Sequence, residues 1–384
     1  MLKIPYFVKE IIHTLEENGY EAYVVGGAVR DSLLGLTPTD YDVTTSCPPE
    51  KILELFENTV PTGLKHGTVT VIIDRIPTEV TTFRIDGAYS AHRSPDSVTF
   101  TGKLADDLSR RDFTVNALAF NEKSGLVDLF GGRLDLNGRV IKTVGEPQRR
   151  FNEDALRIMR AIRFGCALNF NIEEETYNAA VKFAHTLSLI SPERIYAELT
   201  KTLLGQNLEL LERFIKDGGL KFLNISECNN LNLISKLPSV LSLRMFAFEI
   251  LCGISSGELE KRLKFNNNLL SEIEYLRTIK NDLTTPNKAI IKKLLAKTNL
   301  NLIIDYLDYI RIFEDKDITI YNELLNEIAE NNEPYLISHL AVGGEDLIKH
   351  GFRGAEIGIK LNCLLEFVIE NPELNTRKEL LKRL

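Results

Sequence analysis

The chain has 384 residues, 44% hydrophobic and 26% charged, with a net charge of −8; this length allows two or more packed units, and the composition excludes a disordered or fibrous chain. No apolar run approaches the roughly 20 residues needed to cross a bilayer, and the opening MLKIPYFVKEII lacks a signal peptide's layout, so a cytoplasmic location is expected. The five cysteines are scattered, with no CxxC pair, which argues against a structural zinc site and a disulfide framework.

Residues 7–18 place Val8, Ile11, Ile12 and Leu15 at helical spacing. EAYVVGG reads as a strand ending in glycine, AVRDSLLG as a short helix closed by Gly35, and DYDVTT as a second strand. GTVTVII and PTEVTTFR are β-branched runs separated by a turn-like DRIP. Together these form an α/β unit ending near residue 135. From about residue 150 helical patterns take over, with helix–helix loops expected around 205, 253 and 296 and with CNNLN and FNNNLL as loops or helix starts. The negative net charge hides a local excess: between Arg133 and Arg163 there are eight basic and four acidic residues, a net +4.

On a strand, residues i and i+2 share a face, so Asp40 and Asp42 would present two carboxylates side by side. Hard divalent cations take oxygen ligands, and a cation pair can clamp the attacking and leaving oxygens of a phosphoryl transfer. The bland alternative is two solvated aspartates on an exposed strand. VVGGAVRD lies just upstream, with Gly26 and Gly27 at a strand-to-helix turn and Arg30 one turn on. Glycine lets backbone amides approach an anion, and the helix start and arginine add positive potential, an arrangement suited to a triphosphate. Glu79 on the next expected strand is a third candidate carboxylate; it is equally readable as a surface glutamate. In RRDFTVNALAF, Arg111 is a candidate phosphate contact and Asp112 a candidate acceptor for a ribose hydroxyl, against a bland reading as a helix cap with surface charges.

EDALRIMRAIRF, residues 153–164, carries a buried stripe of Ala155, Ile158, Met159 and Ile162. Asp154, Arg157 and Arg160 are expected on the other side, with Arg163 at the flank. Asp154 and Arg157 are three apart, so a plain surface ion pair is one reading. The other concerns bases. Cytosine and adenine both offer an exocyclic amine beside a ring-nitrogen acceptor, which an aspartate and an arginine would match; uracil and guanine would mismatch both contacts.

GGAVRDSLLG with DYDVTT, PTGLKHGTVTV, RRDFTVNALAF, and EDALRIMRAIRF followed by SPERIYAEL resemble, in this order, the bacterial class II tRNA nucleotidyltransferases, the CCA-adding enzymes. The resemblance is dense over residues 20–205 and looser to HLAVGGEDLIKHGFRGAEIG near the C-terminus. It implies an α+β head of polymerase-β nucleotidyltransferase type, a mixed β-sheet with helices, over residues 1–138. An all-α neck (139–205), body (206–300) and tail (301–384) would follow. It also implies template-independent addition of C, C and A to tRNA 3′ ends from CTP and ATP, with magnesium. At matching positions Asp40 and Asp42 would be catalytic and hold the metals, with Glu79 as a third carboxylate. Gly27 and Arg30 would bind phosphates, and Arg111 and Asp112 the sugar-phosphate. Asp154 and Arg157 would read the base, with Arg160 and Arg163 supporting the nucleotide site. SPERIYAEL would buttress the neck. The tail would grip the acceptor arm of tRNA, with the protein a monomer or homodimer and no membrane partner.

RIDGAYSAHRSPDSVTF matches the family's flexible loop, which enzymes adding only CC usually lack, so complete CCA addition is expected. Ala91 and Ser94 depart from the acidic residue and arginine often found there, which keeps an A-adding specialist open. A CC-adding enzyme or poly(A) polymerase of the same family, a tRNA-binding protein without catalysis, and a nucleotidyltransferase for antibiotics or signalling that shares the paired aspartates are the remaining alternatives. No His-Asp dipeptide occurs, so no appended phosphohydrolase domain of the HD type is expected.

Overall fold

The computed structural model describes all residues except 1, 88, 91–93, 96 and 256, and of residues 89, 90, 94 and 95 only the backbone. Two units are present, one of residues 1–231 with 261–264, the other of residues 232–260 with 265–384.

The first unit opens with helix α1 (Tyr6–Glu17), whose stripe of Val8, Ile11, Ile12 and Leu15 is buried as the spacing requires. Strand β1 (Ala22–Val25) runs into Gly26 at φ +74°, a conformation glycine adopts freely, and helix α2 (Gly27–Leu33) follows at once. Next come β2 (Asp42–Thr45), α3 (Pro49–Leu55), β3 (Thr59–Gly63), β4 (Thr68–Ile73) and β5 (Ile76–Thr82). Asp74 and Arg75, at φ 50° and 67°, turn β4 into β5 through a two-residue hairpin, where DRIP was expected to turn. Antiparallel pairs join β6 (Arg84–Asp86) to β9 (Val98–Phe100), and β7 (Tyr89–Ser90) to β8 (Ser94–Pro95). Ala91 lies outside the described residues, as does the side chain of Ser94. Helix α4 (Leu104–Ser109) and strands β10 (Leu118–Asn121) and β11 (Gly125–Asp128) complete the head.

Seven strands form one mixed sheet in the order β11-β10-β1-β2-β5-β4-β3. Only β2 and β5 run parallel; the other neighbours are antiparallel. The pleat sorts side chains alternately between the faces. Val24, Val43, Val69, Val71 and Val80 join residues of α1, α2 and α3 in the main core, while Val25 and Ala119 face the other way, against Leu104 and Leu108 of α4. This second face also receives Asp42 and Glu79.

Helices α5 (Gly132–Gly138), α6 (Pro147–Glu153), α7 (Leu156–Leu168), α8 (Glu174–Phe183), α9 (Pro192–Leu203) and α10 (Glu209–Lys216) follow, with a short parallel pair of β12 (Val140–Ile141) and β13 (Asn171–Ile172). The second unit is helical, including Leu241–Leu251, Asn267–Asp282, Lys288–Lys297, Leu300–Phe313, Thr319–Glu330 and Ala355–Glu370. Asparagines start three of these: Asn266, Asn287 and Asn299 accept from the backbone N–H groups of Leu269, Ile290 and Leu302. Among the described residues no helix is long and apolar enough to cross a membrane. Cys47, Cys166 and Cys363 are free thiols, as expected; Cys228 and Cys252 are disulfide-bonded, which their spacing did not signal.

Candidate active site

Strand β2 begins at Asp42, not at Asp40 as the alternation suggested. Asp40 precedes the strand, is exposed, and accepts a hydrogen bond from the Thr39 hydroxyl at 3.3 Å. Asp42 stands between Val25 of β1 and Glu79 of β5 in the sheet register. Crowding by the protein pushes the Asp42 carboxyl above the usual carboxylate range; Glu79 and Asp40 add to this through their charge, while Arg111 pulls it down. Negative charge therefore gathers at Asp42, and among the described residues Arg111 offsets it. Among the described residues no group of three His, Cys, Asp or Glu side chains is gathered as a metal cage. The donors near Asp42 are all carboxylate oxygens that repel one another, a set that suits a hard divalent cation held by a pair of carboxylates.

Arg111 is fixed by Asp107, whose Oδ2 accepts from Nη2 at 3.2 Å. Its other amino end lies so close to Gly26 that a Cβ there would stand 3.2 Å from Nη1. Its Nε is buried with no hydrogen-bond partner, a donor kept in reserve beside Asp42. Asp107, fully buried on α4, also accepts from Arg110 and from the Thr44 hydroxyl at 3.1 Å. Burial opposes its charge, yet Arg111 and Arg110 hold its carboxyl below the usual range.

Arg30 lies buried behind Gly27, donating to Asp31 at 2.8 Å and to Asn116 Oδ1 at 2.7 Å. Asn116 in turn donates to Asp112 Oδ1 at 3.3 Å. Asp112 accepts further from the Phe113 backbone N–H at 2.9 Å and from Arg160 Nε at 2.7 Å, with a second Arg160 nitrogen at 2.6 Å. Burial opposes ionisation, but Arg160, Arg157 and Asn116 bring its carboxyl down to about 2.

The segment expected to read the base is not one helix. Helix α6 ends at Glu153, Asp154 is extended at φ −137° and ψ 106°, and α7 begins at Leu156. The stripe of Ala155, Ile158, Met159 and Ile162 is fully buried. Asp154 and Arg157 are each bonded elsewhere, so the plain surface ion pair is not formed. Asp154 accepts from the Leu156 backbone N–H at 3.0 Å and from Arg194 of α9 at 3.2 Å. Arg157, expected on the open side, is buried; it donates to Glu153 at 2.7 Å, to the Arg150 carbonyl at 3.3 Å and to the Arg110 carbonyl at 3.2 Å. Arg163 pairs with Glu198 of α9 at 3.0 Å, so SPERIYAEL holds both ends of this segment.

Asp107, Asn116, Glu153 and Phe164 were not singled out in the sequence. Asp107 and Glu153 had a signal, being acids three or four residues before arginines in stretches whose spacing reads as helical. Asn116 and Phe164 had none, because an amide and an apolar ring inside a motif carry no charge pattern and each also contacts the distant Arg30.

Residues 22–142 match the family model described as the poly A polymerase head domain, and residues 169–224 that described as the probable RNA and SrmB-binding site of polymerase A. The CCA-adding enzyme of Ligilactobacillus salivarius is 49% identical over 197 residues, 51% of this chain and 49% of that protein, so the chain matches about half the length of that relative. That of Lactobacillus helveticus is 36% identical over 375 residues, 94% of this chain and 92% of that protein. A crystal structure of the Bacillus stearothermophilus CCA-adding enzyme in complex with CTP superposes with a TM-score of 0.83 at 31% identity, covering 99% of this chain and 98% of that one. The mixed-sheet head and helical remainder expected from the motifs are thus those of a solved relative. By its near-full-length likeness to these proteins, the chain belongs to the CCA-adding enzymes, nucleotidyltransferases built on the poly(A) polymerase head domain.

Proposed function

We propose that the chain adds C, C and A, without a template, to the 3′ end of tRNA from CTP and ATP, with Asp40 and Asp42 as its catalytic carboxylates. The 3′-hydroxyl oxygen attacks the α-phosphorus, the bond from that phosphorus to the bridging oxygen breaks, and pyrophosphate leaves. Magnesium, when held by Asp40 and Asp42 with Glu79 beside them, supplies the positive charge that acidifies the hydroxyl and screens the phosphates. The observation that carries this reading is the register of Asp42 opposite Glu79 with Arg111 alongside.

The chain's own groups bind and orient. Arg111 offers its unpartnered Nε, and Gly27 and Arg30 bound the turn where the phosphates lie. Asp112 meets the ribose, exchanging one of its present donors for the hydroxyl. Asp154 accepts from the exocyclic amine of cytosine or adenine and Arg157 donates to the ring nitrogen, with Arg160 and Arg163 supporting the pair. The helical segments after the head, taken as neck to residue 205, body to 300 and tail to 384, hold the tRNA through its backbone phosphates.

The test uses tRNA transcripts ending at the discriminator base, at C and at CC, each incubated with magnesium and CTP, ATP or both and resolved to single nucleotides. All three should reach CCA and stop. Extension of the CC-ended transcript alone would make this an A-adding enzyme and point to Ala91 and Ser94. Long A tails would indicate a poly(A) polymerase, and no extension a tRNA-binding protein.

A further inference from the structure

One side chain touches three of the arginines placed in the nucleotide site without being charged itself. The guanidinium carbons of Arg30, Arg160 and Arg163 lie 5.0, 5.4 and 4.1 Å from the centre of the Phe164 ring. Arg30 comes from α2 of the head, the other two from α7, which also carries Phe164. Each arginine is paired in contact with one acid: Asp31, Asp112 and Glu198 respectively. Asp112 and Glu198 also act through their charge on both Arg160 and Arg163, but among the described ion pairs none of the three carboxylates contacts two of these arginines. Three like charges around one point repel, and the negative face of an aromatic ring is the neutral group that can stand between them. The ring is anchored in turn, meeting Phe113 edge-on with centres 5.8 Å apart at 80°.

The geometry points to Phe164 as a positioning residue for nucleotide binding: its ring holds the head arginine Arg30 and the α7 arginines Arg160 and Arg163 in one arrangement. This rests on the nucleotide site proposed above. Packing alone does not account for the choice, since a leucine would fill the contact with Phe113 but would leave the three charges with no ring face. Phe164 touches no reacting atom. Its loss therefore weakens substrate and transition state alike, raising KM while leaving kcat nearly unchanged.

The experiment measures kcat and KM for CTP and ATP, on transcripts ending at C and at CC, together with the unfolding midpoint. The variants are F164L, F164Y and enzyme carrying mono-, di- and trifluorinated phenylalanine at position 164. Fluorine drains the ring face of negative charge and leaves its shape close to native. Because leucine offers the guanidinium groups no ring face, F164L should raise KM for both nucleotides about tenfold. F164Y should restore it to within about twofold, and KM should climb stepwise with each fluorine. KM unchanged across the fluorinated series, or a fall in the unfolding midpoint as the only effect of F164L, overturns the proposal. If F164L fails to fold, the fluorinated series decides alone. R160A separates the two levels: unchanged KM in R160A would sink the nucleotide-site reading itself, whereas a raised KM there with a flat fluorine series sinks only the role of the ring.

Discussion

Asp154 and Arg157 are secured by different partners, and this bears on how a side-chain pair can read a base. Had they bonded to each other, each would satisfy the other and offer less to a nucleotide. Instead Arg157 is fixed by Glu153 and two backbone carbonyls, and Asp154 by Arg194 and a backbone N–H. A fixed donor and a fixed acceptor penalise the wrong edge, because a mismatched base cannot pull them into a new arrangement. Glu153→Gln weakens the charged anchor on Arg157 while keeping the shape. The ratio of kcat/KM for CTP over UTP, and for ATP over GTP, should then fall by about tenfold, the size of one charge-assisted hydrogen bond. An equal fall for all four nucleotides would mean that Glu153 supports the fold and not the discrimination. At this scale the charged candidates were visible as ordered motifs. Their partners were not: Asn116 joins Arg30 to Asp112 across 86 residues, a contact that no local spacing encodes.

Elements were readable wherever one pattern ran unbroken. The stripe of α1 and the β-branched runs of β4 and β5 all formed where expected. Strand β10, second from the sheet edge between β11 and β1, was not read as a strand, because all four of its residues are buried and alternation disappears. The break between α6 and α7 was hidden for a different reason: buried Phe151 and Ala155 keep helical spacing across it, and only the backbone of Asp154 departs from helix. The hairpin between β4 and β5 is an element whose local sequence disagrees with its geometry. Both turn residues have positive φ, which favours Asn-Gly over the Asp-Arg present. The double substitution D74N/R75G should stabilise the first unit by roughly 0.5–1 kcal/mol, seen as a rise of about 1–3 °C in its unfolding midpoint. A fall would mean that the arginine's side chain contributes more than the backbone strain costs.

Across the whole molecule, net charge says little about where charge is held. The total of −8 coexists with a local +4 between Arg133 and Arg163, where the nucleotide site is proposed. The second unit keeps negative charge inside. Glu249, on the helix Leu241–Leu251, and Glu260 share one guanidinium: an Arg277 nitrogen lies 2.7 Å from the first and 2.6 Å from the second, while Glu274 takes its other end at 3.0 Å. One oxygen each of Glu249 and Glu260 is buried without a partner. Burial, with the charge of Glu260, raises the Glu249 carboxyl to about 7 against the pull of Arg277. The unfolded value lies near 4.3, so between the two the folded state binds the proton that the unfolded state has released. Stability therefore falls as pH rises from about 4.3 to 7, and the cost of the second buried charge is fully present above that range. Glu249→Gln removes this charge and leaves Arg277 paired with Glu260 and Glu274. Its unfolding midpoint should exceed the parent's at pH 8, by on the order of 1–3 kcal/mol in stability, and should match the parent at pH 5, where Glu249 is already neutral. Destabilisation by the same amount at both pH values would mean that Glu249 serves Arg277 as a charged partner throughout, and that the proton resides elsewhere.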